Sequence, residues 1–284
     1  MPNFSLATTE DGSLSLHETN LDELYHNRAG AFTEAVTNYV EPAMQFLKLA
    51  KVAGSSLRLL DSCFGLGYNS LALANYLATS KQFALQVDAV ELDPDVLALV
   101  PDVLAQPCFA ALKSKTLEEL RFKVSVSDLR QFLLARASST SKVYDVIYHD
   151  PFSPKKVPEL WSVDLFRHYY LAMAEDSALL TYASAPAVRG ALISLGFKVF
   201  RTTGLGRKSG GTIAIKTSNK ELIQELFQAD NSCIFEIAGE ELLRLGKSSR
   251  VPFRDANLND DSATILARRE AEQQEFRRNG AVNS

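Results

Sequence analysis

An α/β fold built on a mostly parallel sheet is what this sequence predicts, and three observations predict it. Strand-like apolar patterns alternate with helical ones from residue 57 to about residue 217, the rhythm of a parallel sheet with helices on both faces. The first strand pattern, Leu57 to Leu60, runs through Asp61-Ser62-Cys63-Phe64-Gly65-Leu66-Gly67-Tyr68-Asn69-Ser70 into the helical pattern Leu71 to Leu77. That order reads as strand, glycine turn, helix. Four successive strands each end on an acid: Asp61, Glu91, Asp128 and Asp150. Ligands of open α/β sheets sit beyond the carboxyl ends of the strands, so the four acids are expected to share one crevice.

At the N-terminus, Phe4 to Glu18 alternates around Asp11-Gly12 and predicts a β-hairpin. Asn20 to Tyr39 reads as helical and leads into a second helical stretch, Pro42 to Leu49. Strands are expected near 57–61, 85–91, 122–127, 143–149, 177–182, 197–201 and 212–216, and helices near 69–79, 95–105, 128–136, 164–174 and 186–195. Only Thr202 to Gly211 joins the last two strands. That is short for a parallel crossover, so the final strand is expected to run antiparallel. Beyond residue 217 the pattern predicts helices near 219–228 and 236–245, a loop through Pro252 and a charged helix at 262–278. The expected organisation is a hairpin and helical extension at 1–50, a core at 51–217 and a C-terminal helical extension at 218–284.

Composition excludes several classes of function. The hydrophobic fraction of 46% is ample for a buried core. No run of about 18 apolar residues exists, so a spanning helix is not expected. Met1 to Ser5 lacks the basic-then-apolar order of a secretory signal. Cys63, Cys108 and Cys233 are few, odd in number and widely spaced, which suits neither a disulfide framework nor a zinc site and points to the cytoplasm. The four histidines show no metal-ligand spacing, so no metal is expected. Neither a Gly-x-Ser-x-Gly elbow nor a Gly-Lys-Ser/Thr phosphate loop occurs. A net charge of −4 gives no global basic footprint for nucleic acid. Any such contact would use local pairs, Lys155-Lys156, Arg207-Lys208, Arg268-Arg269 or Arg277-Arg278, and pairs of this kind are also ordinary solvated surface.

The densest chemistry lies in Tyr144-Asp145-Val146-Ile147-Tyr148-His149-Asp150-Pro151-Phe152-Ser153-Pro154. An apolar strand delivers Asp150 to the crevice, and two prolines stiffen the loop around Phe152. Read alone, Asp150 equally suits a helix cap. Gly65 and Gly67 permit a tight turn and a close ligand approach, although Ser70 stands where the dinucleotide fingerprint has its third glycine. Glu91 can accept both hydroxyls of a ribose. Asp128 either accepts from an adenine amino group or caps the helix from Leu129. His149 is expected to point away from Asp150, and Trp161 to sit in the core.

Seven strands with the last reversed is the arrangement of class I methyltransferases, a Rossmann-like fold. The ordered motifs resemble the methyltransferase module of the MnmC-like tRNA wobble-uridine enzymes from about Leu16 to Lys216, and again from Val251 to Arg269. The resemblance rests on Tyr25-His26-Asn27, Gly30-Ala31, Glu34 and Phe64 to Asn69. It rests above all on Asp150-Pro151-Phe152-Ser153-Pro154 with Pro158-Glu159-Leu160-Trp161 and Leu165-Phe166. Val188-Arg189, Gly196-Phe197 and Gly204-Leu205-Gly206-Arg207-Lys208 follow in order. Pro151 and Ser209-Gly210-Gly211 depart from the family pattern near the expected substrate entrance. The resemblance implies transfer of a methyl group from S-adenosyl-L-methionine to the exocyclic amine of a 5-aminomethyl(-2-thio)uridine at the tRNA wobble position. It implies a stand-alone module, without the flavin oxidase domain that some members carry, and so a separate enzyme to supply the aminomethyl uridine.

On this reading Asp150 accepts the amine proton. Asp61, Gly65, Gly67, Asn69, Glu91 and Asp128 hold the donor, and Glu34 and Tyr25 close over its methionine end. Phe152 stacks on the uracil, and Lys155, Lys156, Arg207 and Lys208 meet phosphates of the anticodon region. Two other readings use the same residues: an aminopropyltransferase of the spermidine-synthase type, and a non-catalytic RNA-binding module on a methyltransferase fold. The oligomeric state stays open, with a monomer sufficient.

Overall fold

Residues 4–51, 54–136, 143–205, 210–228 and 232–282 are described by the computed structural model. The first strand, β1 (Phe4–Thr8), pairs with β2 (Leu14–Glu18) across the Asp11-Gly12 turn, as the alternation predicts. The next segment departs from expectation. Residues 20–30 are not helical: the chain turns back at Asp22 and pairs as β3 (Glu23–Leu24) with β2. Tyr25 N–H donates to Leu16 O, and Asn27 N–H to Glu34 Oε2. Backbone groups that a helix would use are thus taken by tertiary partners. Gly30 sets the boundary. Its φ is 149°, and a Cβ there would lie 2.0 Å from the Asp11 carboxylate, so only glycine fits.

Helix α1 (Ala31–Ala35) continues through a π-turn, Val36–Val40, into α2 (Glu41–Ala50). The core strands are β4 (Ser56–Asp61), β5 (Ala84–Glu91), β6 (Phe122–Val126), β7 (Tyr144–Tyr148), β8 (Met173–Thr181), β9 (Lys198–Thr202) and β10 (Thr212–Lys216). Between them run α3 (Tyr68–Ser80), α4 (Pro94–Leu97), α5 (Val100–Leu104), α6 (Leu129–Arg136), α7 (Val163–Ala172) and α8 (Pro186–Ser194). The expected helix at 95–105 is split. Pro101 cannot donate an N–H to continue the first turn, and a new helix starts around it. The C-terminal part adds α9 (Lys220–Leu226), a two-residue strand β11 (Ile234–Phe235), α10 (Gly239–Leu245) and α11 (Ser262–Val282).

The sheet order is β11-β9-β10-β8-β7-β4-β5-β6. Strands β4 to β8 pair in parallel, and β10 runs antiparallel between β8 and β9. This is the class I methyltransferase arrangement with one addition, the edge strand β11, which is too short to leave an alternation in the sequence. Strand order reverses between β4 and β7, so the crevice opens where these two strands end. The N-terminal helices, through Tyr39 and Phe46, share one apolar core with Leu59 and Val87 of the sheet. Phe253 and Ile265 of the C-terminal part join Trp161, Phe166 and Tyr169 in the other.

Candidate active site

A cavity of about 870 Å³ lies at the carboxyl ends of the strands, within the size range of small-molecule sites. Its floor comes from the loops after β4, β5, β6 and β7, and residues 17–28 of the N-terminal extension form a wall. Carboxylates outnumber cationic side chains in the lining nine to one, the one being Arg28. Such a surface favours a positively charged guest.

Asp150 lines this cavity, and its Oδ2 accepts from Asn69 Nδ2 at 2.7 Å. The following loop is fastened at successive residues. Tyr182 hydroxyl donates to Pro151 O at 3.1 Å, Trp161 Nε1 to Phe152 O at 2.8 Å, and Ser153 N–H to Glu23 Oε1 at 3.2 Å. Trp161 is fully buried, in the core as expected. Phe152 lines the cavity with its ring edge-on to Tyr25 at 5.1 Å between centroids.

The glycine turn is held by the neighbouring strand. Gly65 N–H donates to Glu91 Oε2 at 2.7 Å, while Oε1 of Glu91 accepts from Leu92 and Asp93 N–H at 2.8 and 3.0 Å. Three backbone donors bind this carboxylate, so shaping the turn is its first task. Burial nevertheless raises its pKa. Gly65 (φ 53°) lines the cavity, and Tyr25 packs over it. Gly67 lies outside the lining and answers a different need. It begins α3 at φ 83°, and a Cβ would stand 2.6 Å from the Phe64 ring.

Asp61 is also absent from the cavity wall. It is fully buried beneath the turn and accepts from Ser70 Oγ at 2.5 Å, and its Oδ1 has no partner. Burial pushes its carboxyl up to about 8, so it is largely protonated at neutral pH. The strand thus sets Asp61 beneath the turn, and it is not among the residues that line the cavity. Asp128 lines the cavity, and its Oδ1 caps α6 through Arg130 and Gln131 N–H at 2.7 and 3.2 Å. Glu34 lines the cavity and accepts from Asn27 N–H at 2.6 Å.

Lys155 and Lys156 are exposed in the turn after Phe152, outside the cavity lining. Arg207 and Lys208 lie outside the described residues. His149 is turned away from Asp150 into a fully buried cage of Trp161, Phe166 and Tyr169, 4.7–5.5 Å between centroids. Burial drives its pKa down to about 3. The sequence did not reveal the acidic wall of Glu18, Asp22 and Glu23, because Glu18 ends the hairpin and Asp22 and Glu23 fall in a segment that reads as helix. Nor did it reveal Tyr182, which lines the cavity and lies in no recognisable motif.

Comparison with known proteins agrees with this geometry. Residues 90–217 match the sequence profile of an S-adenosyl-L-methionine-dependent methyltransferase family. An uncharacterized protein of Methanocaldococcus jannaschii is 31% identical over 228 residues, 75% of this chain and 60% of that protein. The tRNA 5-methylaminomethyl-2-thiouridine biosynthesis bifunctional protein MnmC of Burkholderia vietnamiensis is 28% identical over 231 residues, 72% of this chain but 34% of that protein. The chain thus spans about a third of the bifunctional relative's length. The crystal structure of MnmC2 from Aquifex aeolicus shares the fold, with a TM-score of 0.74 at 24% identity over 97% of this chain and 86% of that one.

Fold, cavity and profile together define an S-adenosyl-L-methionine-dependent methyltransferase. In sequence it is similar to the bifunctional MnmC protein, and in fold to MnmC2. Aminopropyl transfer and a module without catalysis are set aside by this assignment. Among the described residues no helix is long and apolar enough to cross a membrane.

Proposed function

We propose that this methyltransferase acts on the exocyclic amine of 5-aminomethyl(-2-thio)uridine at the wobble position of tRNA. The observation that carries the reading is Asp150, presented at the switch point of the sheet into a cavity whose charged side chains are nearly all carboxylates. An alkylammonium has a pKa of about 10 by analogy with lysine, so the amine arrives charged. A carboxylate-lined cavity attracts that cation, and Asp150 takes its proton so that the nitrogen lone pair is free to attack. The relatives' name, tRNA 5-methylaminomethyl-2-thiouridine biosynthesis, supports this nucleoside.

The residues fit the donor. Gly65 brings bare backbone to the cavity, Glu91 keeps an acceptor site on Oε2, and Asp128, Asn69, Glu34 and Tyr25 stand around them. When bound, S-adenosyl-L-methionine supplies a methyl group activated by its sulfonium. The protein's task is to bring the amine in line with that methyl group and to exclude water. Phe152 stacks on the uracil. Lys155 and Lys156, with Arg207 and Lys208, hold the phosphates of the anticodon region outside the acidic cavity. Residues 51–217 act as the catalytic core, with 1–50 closing the site and 218–284 buttressing it, in the cytoplasm. Methylation of undermodified tRNA carrying a 5-aminomethyl wobble uridine, read by nucleoside mass spectrometry, tests the proposal. Absence of a methylaminomethyl product removes this substrate.

A further inference from the structure

Glu23 stands where a strand pair disfavours it. In the short ladder of β2 and β3 it lies directly opposite Glu18, and like charges facing each other across strands are destabilising. Glu18 turns its Oε1 to Asn20 N–H at 3.0 Å. Glu23 reaches instead to the loop after Asp150. Its Oε1 accepts from Ser153 N–H at 3.2 Å, and its Oε2 from the Ser153 hydroxyl at 3.1 Å. One carboxylate thus takes both donors of one serine, and a two-point, charge-assisted grip fixes orientation as well as place. Two residues along, Tyr25 packs over Gly65 and meets the Phe152 ring edge-on at 5.1 Å. The N-terminal wall is thereby joined to the acid's loop on one side and to the glycine turn on the other.

We propose that Glu23 is a positioning residue for the methyl acceptor: by gripping Ser153 it sets the Phe152 ring against Tyr25, so that the base stacked there presents its amine to Asp150. The proposal rests on the roles of Phe152 and Asp150 given above. In the step it serves, the amine nitrogen gains the methyl group as the carbon–sulfur bond breaks, and the nitrogen's proton passes to Asp150. Glu23 exchanges no proton. What it supplies is geometry, not charge. Glutamine can supply the same, since its carbonyl oxygen accepts the Ser153 N–H and its amide donates to the Ser153 hydroxyl oxygen. Alanine cannot.

Single-turnover methylation and acrylamide quenching of fluorescence, in Glu23→Ala and Glu23→Gln, test this together. The chain has a single tryptophan, Trp161. It is fully buried, and its Nε1 donates to Phe152 O at 2.8 Å, so its fluorescence reports on the loop directly. Glu23→Ala is expected to lose about 10-fold to 10²-fold in rate at saturating tRNA, the scale of a small misplacement of a reacting group. Kd for tRNA and for the donor should stay within about twofold of native. Quenching of Trp161 should rise in the same variant, and Glu23→Gln should restore both rate and quenching. A near-native rate or unchanged quenching in Glu23→Ala overturns the proposal. So does a Glu23→Gln protein as slow as Glu23→Ala, which would make the charge of Glu23, not its grip, the working element. Should Glu23→Ala fail to fold, Ser153→Ala breaks the hydroxyl bond from the other side and must show a smaller loss of rate with raised quenching; native values there overturn the proposal. If the native protein does not methylate the aminomethyl tRNA, the substrate reading fails, and the quenching comparison, which needs no substrate, still decides whether Glu23 holds the loop.

Discussion

Asn69 Nδ2 and Asp150 Oδ2 lie 2.7 Å apart, and this bond joins the two sides of the strand-order reversal. Asn69 is in the first turn of α3, which follows β4, and Asp150 closes the segment after β7. The start of the helix after the glycine turn and the acid are therefore tied directly to each other.

Asp150→Asn keeps the shape, and its amide can still accept from Asn69 through the carbonyl oxygen. What it loses is basicity. General-base assistance is worth about 10²–10⁴ in rate, so single-turnover methylation should fall by at least the lower figure while the thermal midpoint and donor affinity hold. Raising pH should restore part of the rate, because more of the amine is then already neutral. A near-native rate would remove Asp150 from the mechanism.

Glu91→Ala strips three backbone N–H groups of their acceptor, that of Gly65 among them. Donor binding should weaken by roughly 1.5–3 kcal/mol, the range for hydrogen bonds to charged groups. Calorimetry with S-adenosyl-L-methionine on the folded variant measures it. Unchanged affinity would take Glu91 out of the donor site.

Most of the sheet was legible because alternation and strand-end acids are local signals. The strands from β4 to β10 stand within a few residues of their expected places, and the acids Glu91, Asp128 and Asp150 meet in one cavity. What failed was decided by tertiary partners. Residues 20–30 carry a helical pattern, yet Leu16 O and Glu34 claim their backbone donors. Asp61 follows the same strand-end rule as Glu91, but depth below the turn is invisible in a sequence. The π-turn Val36–Val40 likewise departs from the 3.6-residue period that the sequence displays.

Lys155 and Lys156 are exposed beside Phe152, outside the acidic cavity, where a phosphate would not meet its carboxylates. Changing both to alanine should lower the magnitude of the slope of log K for tRNA against log salt by about 0.7–0.9 per lost phosphate contact. Adding Arg207→Ala and Lys208→Ala should lower it further. Titrations at several salt concentrations give the slope. A native slope in the fourfold variant would place the RNA elsewhere.

Two buried groups make stability depend on pH in opposite senses. Burial holds His149 at about 3, against 6.5 in the unfolded chain, so the folded protein keeps it neutral where the unfolded chain protonates it. Its contribution is whole above pH 6.5 and shrinks as pH falls toward 3. Asp61, raised by burial from 3.8 to about 8, stays protonated in the fold where the unfolded chain is ionised. Its contribution is whole below pH 3.8 and is lost as pH rises toward 8. Between about pH 4 and 6.5 the two slopes oppose each other, with His26, lowered by burial to about 4, adding to that of His149; above 6.5 the slope of Asp61 outlasts those of both histidines. Each can contribute up to about 1.4 kcal/mol per pH unit. Urea unfolding without added donor should therefore show stability falling from pH 6.5 to 8 in the native protein and a flatter course in Asp61→Asn, which is neutral at every pH. An equally steep fall in Asp61→Asn would assign the proton to another group.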